Sequence, residues 1–507
     1  MCPSRKVELF GEPIAQNGLM ATVDQSQTPY ADALTRYAER DTLRLNVPGH
    51  NARVDGAQRL SDYFGHRILE RDVTPFLPGI DSGEGNPLAQ ARDLAAAAWD
   101  AEKTWFLTNG ASQANRIVAL ALAQLGGPEQ PIIAQRSAHS SFIDGIILAG
   151  LSPEWIAPTV DFHHGINHGV SPESFEAALT ANPNARGALI ISPSYFGAVA
   201  DVESLAKIAH RHGIPLVVDG AWGTHFGFHP DVPESPLRLG ADVLVSSTHK
   251  LGGSLTQSAM VHVAKGPFAE QLIEIIDRTF VLTQSTSNSS LLLASLDIAR
   301  STLATGAGLI DTAIRSGDAL RERVRVHPRL SVLSDDFGQF SDIVSHDPLH
   351  VSIDVSGLGC SGHEVRTRLM TEHHIVTEIA TDNCVVAIIG PGHPVDVDRM
   401  MSALDSLARE TPSAASRDRL DLPAVGEARM TPRDAFFALS EVVDAVAAVG
   451  RVSADTLAAY PPGIPNIMPG EVFTSEIIAF LHHTVMQPGG YVRGAITEKS
   501  DRFRVVV

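Results

Sequence analysis

From about Thr104 onward, apolar positions fall into compact runs of strand length, separated by stretches with helical spacing. Thr104 to Leu107, Pro131 to Gln135, Ala188 to Ser192, Pro215 to Val218 and Ala241 to Val245 are the runs. Asn115 to Leu125, Pro172 to Thr180 and Val202 to His212 read as helices between them. Short strands alternating with helices indicate an α/β layer with a mostly parallel sheet. Upstream, Pro29 to Arg40 is one amphipathic helix. After about Thr305 the texture changes. His350 to Val355 and Cys384 to Ile389 are predicted strands, with helices over Glu364 to Glu372 and Val395 to Arg409, as in a smaller α+β unit. Glu410 to Arg419 reads as a polar linker and Pro432 to Val449 as a last helix. Tyr460 to Gly470, with Pro461, Pro462, Pro465 and Pro469 and no charged side chain, is expected to be a shaped loop, because proline interrupts both helices and central strands. The expected division is an N-terminal arm (1–45), a large domain (46–305) and one or more C-terminal small domains (306–507).

Composition narrows the class. A chain of 507 residues, 44% hydrophobic and 19% charged, buries a sizeable core and is not disordered. Its net charge of −19 argues against nucleic acid and anionic membranes as partners, and its acidic field would attract a cationic substrate such as a basic amino acid. Cys2, Cys360 and Cys384 have neither metal-ligand spacing nor the number for a disulfide framework, which fits a reducing compartment. The stretch through Gln25 lacks an apolar leader core, and no run reaches membrane-spanning length, so the expected location is the cytoplasm.

Two of the predicted strands deliver chemistry at their ends. The run Pro215 to Val218 is followed by Asp219, and Ala241 to Val245 by Ser246-Ser247-Thr248-His249-Lys250. A pyridoxal phosphate enzyme needs this pair: a lysine amine to form the imine with the cofactor aldehyde, and a carboxylate to keep the pyridine nitrogen protonated. Either residue alone is more often solvated or ion-paired. Thr108 to Asn115 joins a strand to a helix with small residues. It is either a phosphate cradle, to which Ser112 adds a hydroxyl, or a turn capped by serine. His139, after the strand Pro131 to Gln135, can stack on a planar ring or be a satisfied structural histidine. Ser247 and His249 can reach a phosphate or be ordinary polar strand ends. Ligands of open α/β sheets bind at the carboxyl ends of the strands, where Asn109, His139, Ser194, Asp219 and Lys250 all fall.

These residues stand in motifs that resemble the Orn/Lys/Arg decarboxylases, basic amino acid decarboxylases built on the aspartate-aminotransferase fold. The resemblance runs in order over about residues 29 to 480. It takes in Val47 to His50, Thr108 to Asn115, Arg136 to Ser141, Ser192 to Gly197, Asp219 to Phe226, and Ser247 to Lys250 with Leu255 to Gln257. It ends with Tyr460 to Pro465 and Pro469-Gly470-Glu471. The layout is that of the short branch of the family, without the N-terminal wing domain. The resemblance implies a pyridoxal phosphate-binding large domain with a smaller α+β C-terminal domain, decarboxylation of lysine, ornithine or arginine, and a homodimer or larger assembly whose active site is completed across the interface.

Carried over by position, Lys250 is the Schiff-base lysine, Asp219 the pyridinium partner and His139 the ring-stacking residue, with a second candidate role as proton donor. Ser112, Ser247 and His249 hold the phosphate with the backbone N–H groups of Ala111 and Gln113. Ser194 lies at the cofactor's edge, and Trp222 and His225 line the cleft. The chain departs from the family pattern in four places. Ala111 replaces a hydroxyl residue, Gly220 an acidic one, and Gly252-Gly253 bulkier ones. Asp81 to Pro87 stands in place of a His/Pro-containing loop near the substrate. That altered loop keeps aminotransfer or oxidative decarboxylation-deamination open as other reactions. A catalytically silent cofactor-binding protein is the alternative from another class, against which the complete Lys250, Asp219 and His139 set argues.

Overall fold

The computed structural model describes residues 23–127, 130–392, 394–410, 422–460, 463–487 and 490–507. Cys2, the linker from 411 onward, and Pro461 and Pro462 lie outside the described residues. A seven-stranded sheet organises the large unit. In hydrogen-bonding order its strands are Ala101–Leu107, Ala259–Ala264, Val243–Ser246, Leu216–Asp219, Ala188–Ile191, Ile132–Gln135 and Pro153–Ile156. The last five pair in parallel, while Ala259–Ala264 is antiparallel to both its neighbours. Ala101–Leu107 therefore points the same way as the parallel five, and six of the seven strands bring their carboxyl ends to one edge.

The unbroken apolar runs have a direct cause. Side chains alternate across a strand, and both faces of this sheet are covered. Ile133, Ala188, Ile190, Leu216, Val218 and Leu244 enter one core, whereas Ile132, Ala134, Leu189, Val217, Val243 and Val245 enter the other. The second core is roofed by helices Gly110–Leu122, Ser140–Ala149 and Ala269–Thr283, which contribute Ile117, Phe142 and Ile276. Helix Val202–Arg211 and others cover the first, with Leu205 and Ala209 inward.

A second unit is a four-stranded antiparallel sheet in the order Ser331–Val332, His350–Asp354, Cys384–Ile388 and Ile379–Ala380, with helices Gly362–His373 and Val397–Glu410. It is joined to the large unit by the antiparallel pairing of Ile343–His346 with Ala198–Ala200. The chain thus has the aspartate-aminotransferase-like α/β architecture, with a C-terminal part that carries a core of its own, including Leu457, Ile467, Phe473, Ile477, Leu481 and Phe503.

Two expectations for that C-terminal part are corrected. Pro432 to Val449 is not one helix: it divides into helix Pro432–Phe437, strand Ser440–Asp444 and the short helix Ala445–Ala448. The strand forms because Arg502–Val506 pairs with it from Ser440 opposite Val506 to Asp444 opposite Arg502, a partner about sixty residues away that local periodicity cannot reveal. The proline-rich segment is also not all loop. Pro465–Ile467 is an edge strand on Leu457–Tyr460, whose other side carries Tyr491–Arg493. An edge position, with proline as first residue, is where a sheet tolerates it.

Candidate active site

Asp219 is the last residue of its strand and is 4% exposed. Its carboxylate is gripped on both oxygens: Asn115 Nδ2 donates to Oδ2 at 3.0 Å and the Ala221 N–H to Oδ1 at 3.2 Å. Lys250 lies in the turn between Val243–Ser246 and Ala259–Ala264, and its Nζ sits 3.6 Å from the centre of the Trp222 ring, with the Tyr195 ring at 5.7 Å. Burial pulls the Lys250 ammonium down to about 8, against the opposing pull of Asp219 and Glu378. His139 caps helix Ser140–Ala149, its Nδ1 2.7 Å from Ser141 Oγ. Burial lowers its imidazole despite Asp219, and the nearby cations Lys250 and Arg493 act in the same direction, so the ring is neutral near pH 7. Lys250, Asp219, His139, Trp222, Ser112 and Ser247 all line one cleft of about 180 Å³, together with Ala111, Asn115 and His249. Burial, then Lys250, lowers His249 as well.

The anion end of this cleft is built by the start of helix Gly110–Leu122. Gly110 turns with φ +72° and gives its N–H to the Gln257 carbonyl at 2.7 Å, while Asn109 makes no side-chain cap. The Ala111 and Ser112 N–H groups, next in line, have no backbone partner among the described residues. Unpaired amides at the positive end of a helix dipole, beside two serine hydroxyls, suit a phosphate.

Three expected site residues are placed differently. Gln113 is not in the cleft lining: its N–H returns to the Asn109 carbonyl at 3.3 Å, closing the first helical turn, and its amide bonds Gln284 at 2.9 Å. His225 does not line the cleft either. It is fully buried, with Nε2 3.0 Å from Asp347 Oδ1, whose other oxygen meets His350 Nδ1 at 2.7 Å. Burial opposes ionisation of Asp347, but the two imidazoles outweigh it and hold its carboxyl well below the usual range. The His350 ring lies edge-to-face 5.5 Å from that of Trp222, so the trio packs against a cleft residue. Ser194 turns its hydroxyl back to the N–H groups of Phe196 and Ala198, both at 3.2 Å, and lines an adjoining larger cavity.

That larger cavity, about 670 Å³, shares Ser137, His139, Ile191 and Tyr195 with the cleft and continues it outward. Its far wall comes from the C-terminal part, with Tyr460 and Tyr491 stacked at 4.8 Å and Arg493 bonded to Ser140 Oγ. Residues that sequence reasoning left without a role hold this wall in place. Arg136 and Glu471, both buried, form a two-pronged ion pair at 2.7 and 2.8 Å, and Arg136 Nε also donates to the Pro465 carbonyl at 3.1 Å. Both lie inside the motifs quoted above, but nothing in the sequence shows that they meet. The glycine departures also acquire a cause. A Cβ on Gly220 would come within 2.5 Å of Leu244 Cδ1, and one on Gly252 within 2.6 Å of the Thr248 carbonyl.

Comparison with known proteins agrees with this geometry. Residues 28–396 match the family model "Orn/Lys/Arg decarboxylase, major domain", and residues 420–487 match "Orn/Lys/Arg decarboxylase, C-terminal domain". The chain belongs to the Orn/Lys/Arg decarboxylase family. An arginine decarboxylase of Bacillus subtilis is 34% identical over 465 residues, covering 90% of this chain and 94% of that protein. The lysine decarboxylase LdcA of Pseudomonas aeruginosa is 24% identical, covering 90% and 75%. In structure, the lysine decarboxylase LdcF of Francisella novicida superposes with a TM-score of 0.79 at 20% identity, covering 95% of this chain and 81% of that one. This member of the family is a pyridoxal phosphate-dependent decarboxylase of a basic amino acid. The cleft fits that cofactor: a buried amine of lowered basicity, a fixed carboxylate and unpaired helix-terminal amides converge on a space suited to a planar ring carrying a phosphate. No helix among the described residues is long and apolar enough to cross a membrane.

Proposed function

We propose that this decarboxylase acts on arginine, with Lys250 holding the cofactor and Asp219 keeping its ring nitrogen protonated. The observation that carries the residue assignment is the convergence of the Lys250 amine and the doubly fixed Asp219 carboxylate in one cleft. Arginine is favoured because the relatives at 31–34% identity bear that name, whereas the lysine decarboxylases stand at 24%.

Pyridoxal phosphate, when bound, supplies an electrophilic carbonyl carbon and a ring that accepts the electron pair left as carbon dioxide departs. Lys250, near 8, keeps a usable fraction of free amine at neutral pH, and after decarboxylation it returns a proton to the substrate Cα. Asp219 keeps the ring nitrogen protonated, and because Asn115 and Ala221 hold it, no reorganisation is needed when charge develops. His139, a cleft residue, would stack on the cofactor ring when it is bound, and the Trp222 ring, 3.6 Å from Lys250 Nζ, supports the lysine. The Ser112 and Ser247 hydroxyls, His249 and the Ala111 N–H hold the phosphate.

The enzyme works in the cytoplasm as a homodimer. Leu43, Leu45, Val47, Tyr63, Phe64 and Phe76 are all more than half exposed. The Val73 N–H to Ser290 Oγ bond ties their segment to helix Ser290–Thr305, on which Leu255 also rests through Ser295. Exposed apolar side chains in this number suit burial against a second copy of the chain.

The test is a product assay of the cofactor-loaded enzyme with arginine, lysine and ornithine, measuring carbon dioxide and ammonia together. Stoichiometric carbon dioxide and amine from arginine, without ammonia, is expected. Ammonia release, or no carbon dioxide from any of the three, refutes the reading.

A further inference from the structure

Asn115 does more than hold Asp219. It is 1% exposed, and its amide nitrogen donates twice, to Asp219 Oδ2 at 3.0 Å and to Ser141 Oγ at 3.1 Å. A carboxylate only accepts, so the end of the amide that meets Asp219 is the nitrogen, and both of its hydrogens are committed. Ser141 is buried as well, and its hydroxyl oxygen stands 2.7 Å from His139 Nδ1. The Ser141 backbone N–H points at the same ring nitrogen at 3.3 Å. A backbone N–H cannot reverse its role, so Nδ1 accepts and the hydroxyl donates to it as well. The proton of the neutral ring therefore sits on Nε2. That atom has no partner among the described residues and is not sealed from solvent. His139 lines both the cleft and the larger cavity, so the Nε2–H faces the space they share.

We propose that Asn115 and Ser141 are positioning residues for the reaction: they tie His139 to the Asp219 carboxylate and fix its tautomer, so that Nε2–H is presented to the substrate. This assignment rests on the cofactor and substrate reading above. One observation separates the network from ordinary core packing. Asn115 Oδ1 is buried with no partner, and an unpaired buried carbonyl costs stability. Packing alone does not favour asparagine there; what it supplies is two donors on one nitrogen. Both imidazole nitrogens lie in the ring plane, so neither bond consumes a ring face. Burial keeps the ring neutral near pH 7 against the pull of Asp219. Neutrality has a use. An N–H on an uncharged ring can orient a substrate oxygen without setting a full positive charge beside a carboxylate that must leave as neutral carbon dioxide, which would favour the ground state over the transition state.

The experiment reads the imidazole directly. Cofactor-free protein carrying isotopically labelled histidine is examined by nitrogen NMR near pH 7, with His139→Gln locating the His139 signals. A bare, hydrogen-bonded Nδ1 and a protonated Nε2 are expected in the wild type; a proton on Nδ1 overturns the inference. Ser141→Ala should move the Nδ1 resonance, and Asn115→Leu should shift or split it as the hydroxyl loses its donor. A resonance unchanged in both variants also overturns the inference. In the cofactor-loaded enzyme, kcat for arginine per bound cofactor should fall roughly tenfold or more in each variant. The double variant should lose much less than the product of the two separate losses, because residues that act in one chain fail together, and losses that multiply overturn the network. If Asn115→Leu does not accumulate, the wild-type tautomer and Ser141→Ala decide the matter. If the wild type turns over none of the basic amino acids, the functional reading falls, while the tautomer measurement still judges the network. If it turns over arginine and Ser141→Ala keeps kcat within about twofold, the assignment of Asn115 and Ser141 alone falls.

Discussion

Replacing Glu471 with alanine leaves the Arg136 guanidinium buried without its counter-charge, which is among the costliest single changes this structure allows. Both groups are about 5% exposed at the side chain and joined by two bonds of 2.7 and 2.8 Å. Breaking a buried pair by deleting one partner costs roughly 3–5 kcal/mol, because the remaining charge stays desolvated. Glu471 Oε2 also accepts the Met468 N–H at 2.9 Å, so a backbone donor loses its partner as well. These terms are not additive, and about 4 kcal/mol is a fair expectation for undocking the strand pair Leu457–Tyr460 and Pro465–Ile467 from the large unit. At about 1.4 kcal/mol per decade, amide exchange in that pair should accelerate roughly a thousandfold in Glu471→Ala. Arg136 precedes His139 by three residues, so cofactor affinity should fall too. The double variant Arg136→Met/Glu471→Leu, which removes both charges, should recover most of the protection. Exchange within about threefold of wild type in Glu471→Ala, equivalent to under ~0.7 kcal/mol, would refute the reasoning.

Asp219→Ala should stay folded yet lose most turnover, since an unprotonated ring is a poor electron acceptor; turnover within about threefold of wild type removes Asp219 from the mechanism. His164 is clasped by Asp161 at 2.6 Å and Asp354 at 3.5 Å, and although burial opposes protonation these carboxylates raise it from 6.5 to about 9. Its folded value lies above its unfolded one, so the stabilisation is complete below about pH 6.5 and is lost as pH rises through about 9, on the order of 3 kcal/mol in all. Urea midpoints at pH 6.5 and 9.5 should differ in the wild type and far less in His164→Gln; equal slopes in the two proteins would refute this. Leu45→Asp and Phe76→Asp, at positions 86% and 76% exposed, should shift a sedimenting dimer to monomer, and an unchanged sedimentation coefficient would place the interface elsewhere.

The local sequence by itself determined the alternating strands and helices of the sheet. Runs such as 216–218 and 243–245 are apolar throughout because both faces of the sheet are covered, a signal contained in three consecutive residues. It also determined that Asp219 and Lys250 come to the same edge, because parallel strands deliver their ends together. Tertiary structure decided what no local pattern encodes. Strand Ser440–Asp444 exists because Arg502–Val506 pairs with it, and Gln113 loses its expected N–H role because the helix starts at Gly110, early enough to consume that donor. His225 looked like a cleft residue from its place near Trp222, but Asp347, more than a hundred residues later, draws it into the interior. The ion pair of Arg136 with Glu471 belongs to the same class. A residue type states what bonds a side chain can make; only the assembled chain determines which partners arrive and which atoms are left without one.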